Sequence, residues 1–387
     1  MNDLMSRNNA IFAPVDRGTG KLTVAVKDCI DIVGMPSKGG SAALDDTPGA
    51  QTDAAVVKGL LAADCRIIGK ANMHELAYGV TGLNAWTGSP VNPHFPDYVP
   101  GGSSSGCAVS VAEHLVDFAI GTDTGGSIRI PAACCGVYGL KPTFGRVSRL
   151  GAWPRMSSLD CIGPFARSMA MIETAMSAIA PDFVPHADRS LRFARVRVEG
   201  VDAAVEAAFD AVLKPFKATA DVTLVGLSDA FQANMAIIAA ETYAAFGYLL
   251  SGGRIGDDVA ARLSAAAHVD AEKLADAEIV RARFTVHVDA LLQDCDVLVM
   301  PTMPCFPLLL SESGDAAAAL RMTALARPFN LSGHPALTIP VLAPEALPIG
   351  IQVIGRRGED ETVCAFGRMF EREAAVTRIS ANEDIDQ

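Results

Sequence analysis

Apolar positions along the chain recur with two different periods, and the segments that carry them alternate. Residues 22–26 read as a short apolar strand. Residues 52–64 read as a helix, with Thr52 or Asp53 at its cap and Val56, Val57, Leu60 and Leu61 on one face. A strand over 66–68 ends at Gly69, a helix rich in small residues covers 104–114, and a strand follows at 116–120. A further helix is predicted over 168–180. The second half begins with a strand at 191–198, a helix at 201–213 and a strand at 222–225, and two Ala-rich helical stretches follow at about 228–250 and 256–293. Strands at 296–302, 336–341 and 348–355 and a helix at 359–374 close the pattern. Such alternation predicts an α/β fold, with a mostly parallel, mixed and twisted sheet covered by helices on both faces. No repeat or low-complexity linker divides the chain, so residues 1–387 are read as a single large domain.

Composition narrows the partners. Half of the 387 residues are hydrophobic and 20% are charged, enough for a large core and against disorder as the main state. Lys and Arg number 32 against 44 Asp and Glu, a net charge of −12 with no Lys/Arg-rich run, so nucleic acid is not expected and a small-molecule partner is. Mean hydropathy is +0.27, but the apolar stretch near 230–250 is interrupted by Gln232, Asn234 and Glu241 and reads as a buried helix, not a membrane span. Residues 1–21 contain no apolar signal-peptide segment, which predicts a cytoplasmic protein. Nine cysteines without a CxxC pair and seven histidines without HExxH suggest buried, reduced thiols, with no metal and no cofactor.

Candidate chemistry gathers between Lys27 and Arg149. The loop 100–106 (PGGSSSG) sets three serines between glycines, and 121–131 (GTDTGGSIRIP) places Gly125 and Gly126 directly before Ser127. Glycine allows close approach and unusual backbone angles, so consecutive N–H groups here could form a nest for a developing oxyanion. Most Gly/Ser loops are plain turns. A phosphate cradle lacks its GxxxxGK[ST] or GxGxxG pattern. Gly102-Ser103-Ser104-Ser105-Gly106 matches the GxSxG elbow literally, yet Pro93, Pro96 and Pro100 exclude the central strand that an elbow requires. Lys27, at the end of a predicted buried strand, fits a lysine whose desolvated amine acts as a base; pairing with Asp28 or Asp31 is the alternative.

PGGSSSG, GTDTGGSIRIPAACCGVYGLKPTFGRVS and AVKDCIDIVG stand in the order and spacing of the amidase signature family, with Ser103 and Ser127 24 positions apart. KANMHELAYG, SLDCIGPFARS, NLSGHPALTIP and PIGIQVIGRRGED extend the resemblance over most of the chain, most weakly between about 180 and 290. The resemblance implies a single amidase signature domain: a Gly/Ser-rich catalytic core at about 22–168, a variable substrate-shaping region at about 180–290, and C-terminal strands and helix at about 296–375.

It also implies a Ser–cisSer–Lys amidohydrolase with Ser127 as nucleophile, Ser103 as the bridging serine after a cis peptide, and Lys27 as base. The three side chains are expected to form one hydrogen-bonded line. Thr124, Gly125 and Gly126 match the oxyanion hole, together with the Ser127 N–H. Ser104, Asp123 and Arg129 match residues that orient Lys27 and the loops, and His74, Tyr78 and Asn330 lie in blocks resembling the family's pocket-facing loops. Three departures stand out: Ser105 replaces a frequent glycine, Met171 occupies a frequent aspartate position, and the middle region is short. The expected activity is hydrolysis of a small primary amide or carbamoyl compound to a carboxylate and ammonia through an acyl-enzyme. The alternatives are a glutamine amidotransferase subunit that passes ammonia to a partner, and a catalytically idle relative used for binding or scaffolding. A homodimer is the assembly considered; no membrane partner is expected.

Overall fold

The computed structural model describes residues 8–373; the sequence readings for residues 1–7 and for the helix end at Ala374 lie outside the described residues. The strands are β1 (Ile11–Arg17), β2 (Leu22–Lys27), β3 (Cys65–Ala71), β4 (Phe118–Asp123), β5 (Tyr138–Lys141), β6 (Cys161–Ala166), β7 (Phe193–Arg197), β8 (Ala220–Thr223), β9 (Val297–Pro301), β10 (Ala336–Leu342) and β11 (Pro348–Gly355). They form one sheet in the order β1-β3-β2-β4-β6-β5-β10-β11-β9-β7-β8. The helices are α1 (Ala55–Ala62), α2 (Ser105–Ala112), α3 (Arg129–Cys135), α4 (Met169–Ile179), α5 (Ala203–Leu213), α6 (Leu227–Phe246), α7 (Asp257–Ala266), α8 (Ala271–Leu291), α9 (Ala316–Arg321), α10 (Arg327–Leu331) and α11 (Asp360–Glu373).

Strand alternation divides the core between the two faces. In β9, Val297 and Val299 join residues of α1, α4, α5 and α11 in one cluster. Leu298 and Met300 point the other way, into a cluster with α6 and α8. In β2, Val24 and Val26 belong to the first side, whereas Ala25 packs with the small residues of α2. The α/β sheet with helices on both faces is therefore as predicted.

Mostly parallel pairing is not. Four strand pairs are parallel and six are antiparallel. The sheet is mixed because β10 and β11 form a hairpin and β5 and β6 run between the two parallel groups in alternating directions. A pattern of strands and helices does not say which connections return beside the strand they left.

Two local expectations also change. Helix α1 starts at Ala55 without a side-chain cap, because the Asp53 carboxylate is taken by Arg17 and the Val33 N–H. The stretch 256–293 is two helices, since Asp270 caps α8 by accepting from the Lys273 N–H at 2.8 Å. The segment Leu227–Gly252 is long and apolar enough to cross a membrane by length and composition. Here it packs on α7, α8 and α10, and its Glu241 accepts from the Ser157 hydroxyl and the Ser158 N–H.

Three adjacent strands position the site. β3, β2 and β4 are mutually parallel, so their carboxyl ends lie together, where ligands of open α/β sheets bind. Lys27 ends β2, Asp123 ends β4, and the loop holding His74 and Tyr78 leaves β3.

Candidate active site

Lys27 shares the parity of Ala25 and is directed to the side of the sheet covered by α2. It is fully buried, and its Nζ donates to Ser103 Oγ at 2.8 Å and to Thr122 Oγ1 at 2.8 Å. The alternative partners are engaged elsewhere. Asp28 pairs with buried Lys70 at 3.3 Å, and Asp31 pairs with Arg155 at 2.8 Å. Ser103 is fully buried just before α2, the Gly102–Ser103 peptide is cis, and the Ser103 carbonyl accepts from the His74 N–H at 3.0 Å. Ser104 braces the other side of the lysine: its Oγ donates to the Thr122 carbonyl at 3.1 Å, fixing the residue that receives the second Lys27 hydrogen bond.

Asp123 organises the turn that carries Ser127. Its carboxylate accepts from the N–H groups of Gly126 (2.7 Å), Ile128 (3.1 Å) and Arg129 (3.4 Å), and pairs with the Arg129 guanidinium at 2.9 Å. Both side chains are fully buried. Burial disfavours an ionised Asp123, but Arg129 and the Asn330 amide outweigh it and hold the carboxyl well below the usual carboxylate range. Gly126 has φ +106°, and a Cβ there would lie 2.7 Å from Ile130 Cδ1 and 2.9 Å from Ala326 Cβ, so the turn needs glycine at this position.

The three-residue line is half formed. Lys27 meets Ser103, but the Ser127 hydroxyl has no hydrogen-bond partner among the described residues and instead lines a cavity of about 420 Å³ together with Gly102 and Gly125. The Asp123-anchored turn sets the Ser127 backbone at the wall of this cavity. The residues matched to the oxyanion hole differ in what they contact. The Gly126 N–H is spent on Asp123, whereas the N–H groups of Gly125 and Ser127 have no acceptor among the described residues. The Thr124 hydroxyl donates to Asp160 at 2.9 Å.

Of the three expected substrate contacts, Tyr78 lines the cavity. His74 does not line it: the ring is buried, with Nε2 3.2 Å from Asp258 Oδ2, and burial pushes its pKa down. Asn330 is likewise buried in the Asp123–Arg129 network, where it donates to Asp123 and accepts from Arg129. Sequence reading missed Thr122, which lies within the quoted motif, and Arg327, which enters the cavity from the start of α10. No local signal marks Arg327; only the long-range fold brings it beside Gly125.

Ser105 opens α2 directly after Ser103 and Ser104, and its buried hydroxyl has no hydrogen-bond partner among the described residues. Removing an unsatisfied buried hydroxyl relieves a desolvation cost, so Ser105→Ala is expected to raise stability by about 1 kcal/mol. Urea denaturation checks this. All nine cysteines are buried and unpaired, and among the described residues no three His, Cys, Asp or Glu side chains gather as a metal site.

This fold and site define a class. A family model described as Amidase matches residues 21–364, and the chain belongs to that family, the amidase signature family. A glutamyl-tRNA(Gln) amidotransferase subunit from Halobacterium salinarum is 34% identical over 394 residues, covering 88% of this chain and 92% of that protein. Amidase 1 of Arabidopsis thaliana is 32% identical, with 88% and 90% covered. A crystal structure of an amidase superposes with a TM-score of 0.85 at 32% identity, covering 92% of this chain and 85% of that one.

Proposed function

We propose that this protein is an amidohydrolase that cleaves a small primary amide or carbamoyl compound through an acyl-enzyme on Ser127. The observation that carries this reading is the fully buried 2.8 Å contact between Lys27 Nζ and Ser103 Oγ beside the cavity that Ser127 lines. A neutral Lys27 amine takes the Ser103 proton while Ser103 takes the Ser127 proton, and Ser127 Oγ bonds to the amide carbon. The Gly125 and Ser127 N–H groups are the donors left to stabilise the oxyanion. Return of the proton along the same route expels ammonia, and water then cleaves the ester to a carboxylate. The Ser103–Ser127 hydrogen bond forms as the reacting geometry is reached, since such bonds tighten in the reactive complex. The protein acts as one domain without a cofactor.

The second reading, a glutamine amidotransferase subunit, draws on the names of relatives such as the Halobacterium protein. An ammonia-release screen of the isolated chain, with Ser127→Ala as control, separates the two. Turnover of simple amides supports the hydrolase; glutamine turnover confined to a partner-bound form supports the amidotransferase; no turnover and no labelling supports an idle relative. A fluorophosphonate is expected to label Ser127, and EDTA dialysis is expected to leave the rate unchanged. Lost activity that returns with zinc would overturn this mechanism.

A further inference from the structure

The cavity's charge is opposite to that of the chain. In a protein of net charge −12, the lining holds Arg262, Lys273 and Arg327 and no Asp or Glu. The three cations are not equivalent. Arg262 is neutralised by Asp258 at 2.7 Å, and Lys273 stands exposed. Arg327 is half-buried and has no carboxylate partner among the described residues; its hydrogen bonds go to two neutral acceptors, Thr323 Oγ1 (2.8 Å) and Asn234 Oδ1 (2.9 Å). These fix Nε and Nη1 and leave Nη2 without an acceptor among the described residues. A buried charge is normally paired, because isolation from water disfavours it. Burial accordingly pushes the Arg327 pKa down to about 10.

Its place is specific. A Cβ added at Gly125 would lie 2.7 Å from Arg327 Nη1 and 3.0 Å from Cζ, so the guanidinium rests on the backbone of the turn that presents Ser127. We infer that the substrate is an anionic amide whose carboxylate docks on Arg327. This deepens and rests on the amidohydrolase reading above. Gly125 and Ser127 are two residues apart, with Cα atoms at most about 7 Å from each other, so the carboxylate would dock near the scissile carbonyl, which favours a short linker of about one to three carbons. The class is therefore the monoamides of short dicarboxylic acids and their carbamoyl analogues. An α-ammonium group, as in glutamine, finds no carboxylate in the lining and meets the like charges of Arg327 and Lys273 instead. Arginine suits the task because its planar fork pairs with a carboxylate through two parallel hydrogen bonds.

The experiment compares succinamate, its neutral isostere succinamide, and L-glutamine. The wild type is expected to favour succinamate over succinamide in kcat/KM by about 10- to 100-fold, the range of one charge-assisted hydrogen-bonded pair. Arg327→Gln is expected to bring that ratio to near one, chiefly through KM, and Arg327→Lys to restore part of it. Equal use of the two amides, preference for glutamine, or an unchanged ratio in Arg327→Gln would overturn the inference. Calorimetric binding of succinamate to Ser127→Ala, with and without Arg327→Gln, reads the same docking without catalysis. Binding weakened at least tenfold by the second substitution supports the inference even where no amide is turned over, an outcome that would remove the hydrolase reading alone. Undiminished binding would overturn the inference itself.

Discussion

Ser127→Ala is expected to lower kcat for amide hydrolysis by on the order of 10⁴-fold or more, and Lys27→Met by on the order of 10³-fold. The two losses have different physical sources. Ser127 is the only atom donor for the acyl bond in the proposed reaction, so its removal leaves only binding and the donors at Gly125 and Ser127 N–H. Lys27 forms no bond to substrate; it acts through Ser103, at 2.8 Å, on a proton.

Methionine is the informative replacement because it keeps the volume of a fully buried side chain and so opens no large cavity. Lys27→Met removes the desolvation cost of a buried lysine but leaves the Ser103 and Thr122 hydroxyls without that partner, so the two effects oppose each other and the unfolding free energy is expected to fall by no more than about 1–3 kcal/mol. Thermal unfolding measured beside the rate tests the pair of claims. A Lys27→Met protein that keeps a tenth of the wild-type kcat would remove lysine from the proton route. One that merely unfolds would show Lys27 to be structural.

The parts of this molecule that could be read from the chain are those whose physics is local. The β10–β11 hairpin announces itself by two apolar runs, and α4 by Ser168, whose hydroxyl caps it by accepting from the Met171 N–H. β6 was hidden by Pro164, which reads as a strand breaker. It is tolerated because β5 pairs only with Phe165 and Ala166, so no ladder bond is required at the proline on that side. β1, with Pro14 and Asp16 in seven residues, is an edge strand and shows no clean alternation.

The site divides in the same way. Lys27, Ser103 and Ser127 sit in motifs whose spacing can be read. Whether an Asn or His faces a cavity or a buried carboxylate cannot, because both environments use the same polar atoms. Asn330 therefore moved from the pocket to the Asp123 network, and His74 to Asp258. Gly126 moved for a related reason: an N–H next to a nucleophile looks available until the carboxylate three residues earlier is seen to take it.

That carboxylate carries the last large effect. Asp123→Asn is expected to destabilise the protein by about 3–5 kcal/mol near neutral pH, because it leaves the fully buried Arg129 guanidinium without its counter-charge. The asparagine NH₂ cannot accept, so some of the Gly126, Ile128 and Arg129 N–H groups also lose their acceptor, and the turn bearing Ser127 loosens. A fall in kcat should therefore accompany the fall in stability.

The pH dependence distinguishes charge from shape. The folded Asp123 carboxyl titrates below its unfolded value of about 3.9, so its contribution is fully present above that pH and is lost as pH falls towards the folded value. Asparagine has no such term. The stability gap between wild type and Asp123→Asn should consequently be constant from pH 7 to 5 and narrow below about pH 4. Pairing the change with Arg129→Met removes the orphaned cation, and the double variant should be less destabilised than the sum of the two single ones. Urea melts of the four proteins at three pH values measure all of this. A gap that stays constant down to the acid limit, or strict additivity, would show that Asp123 and Arg129 hold the Ser127 turn by packing and not by charge.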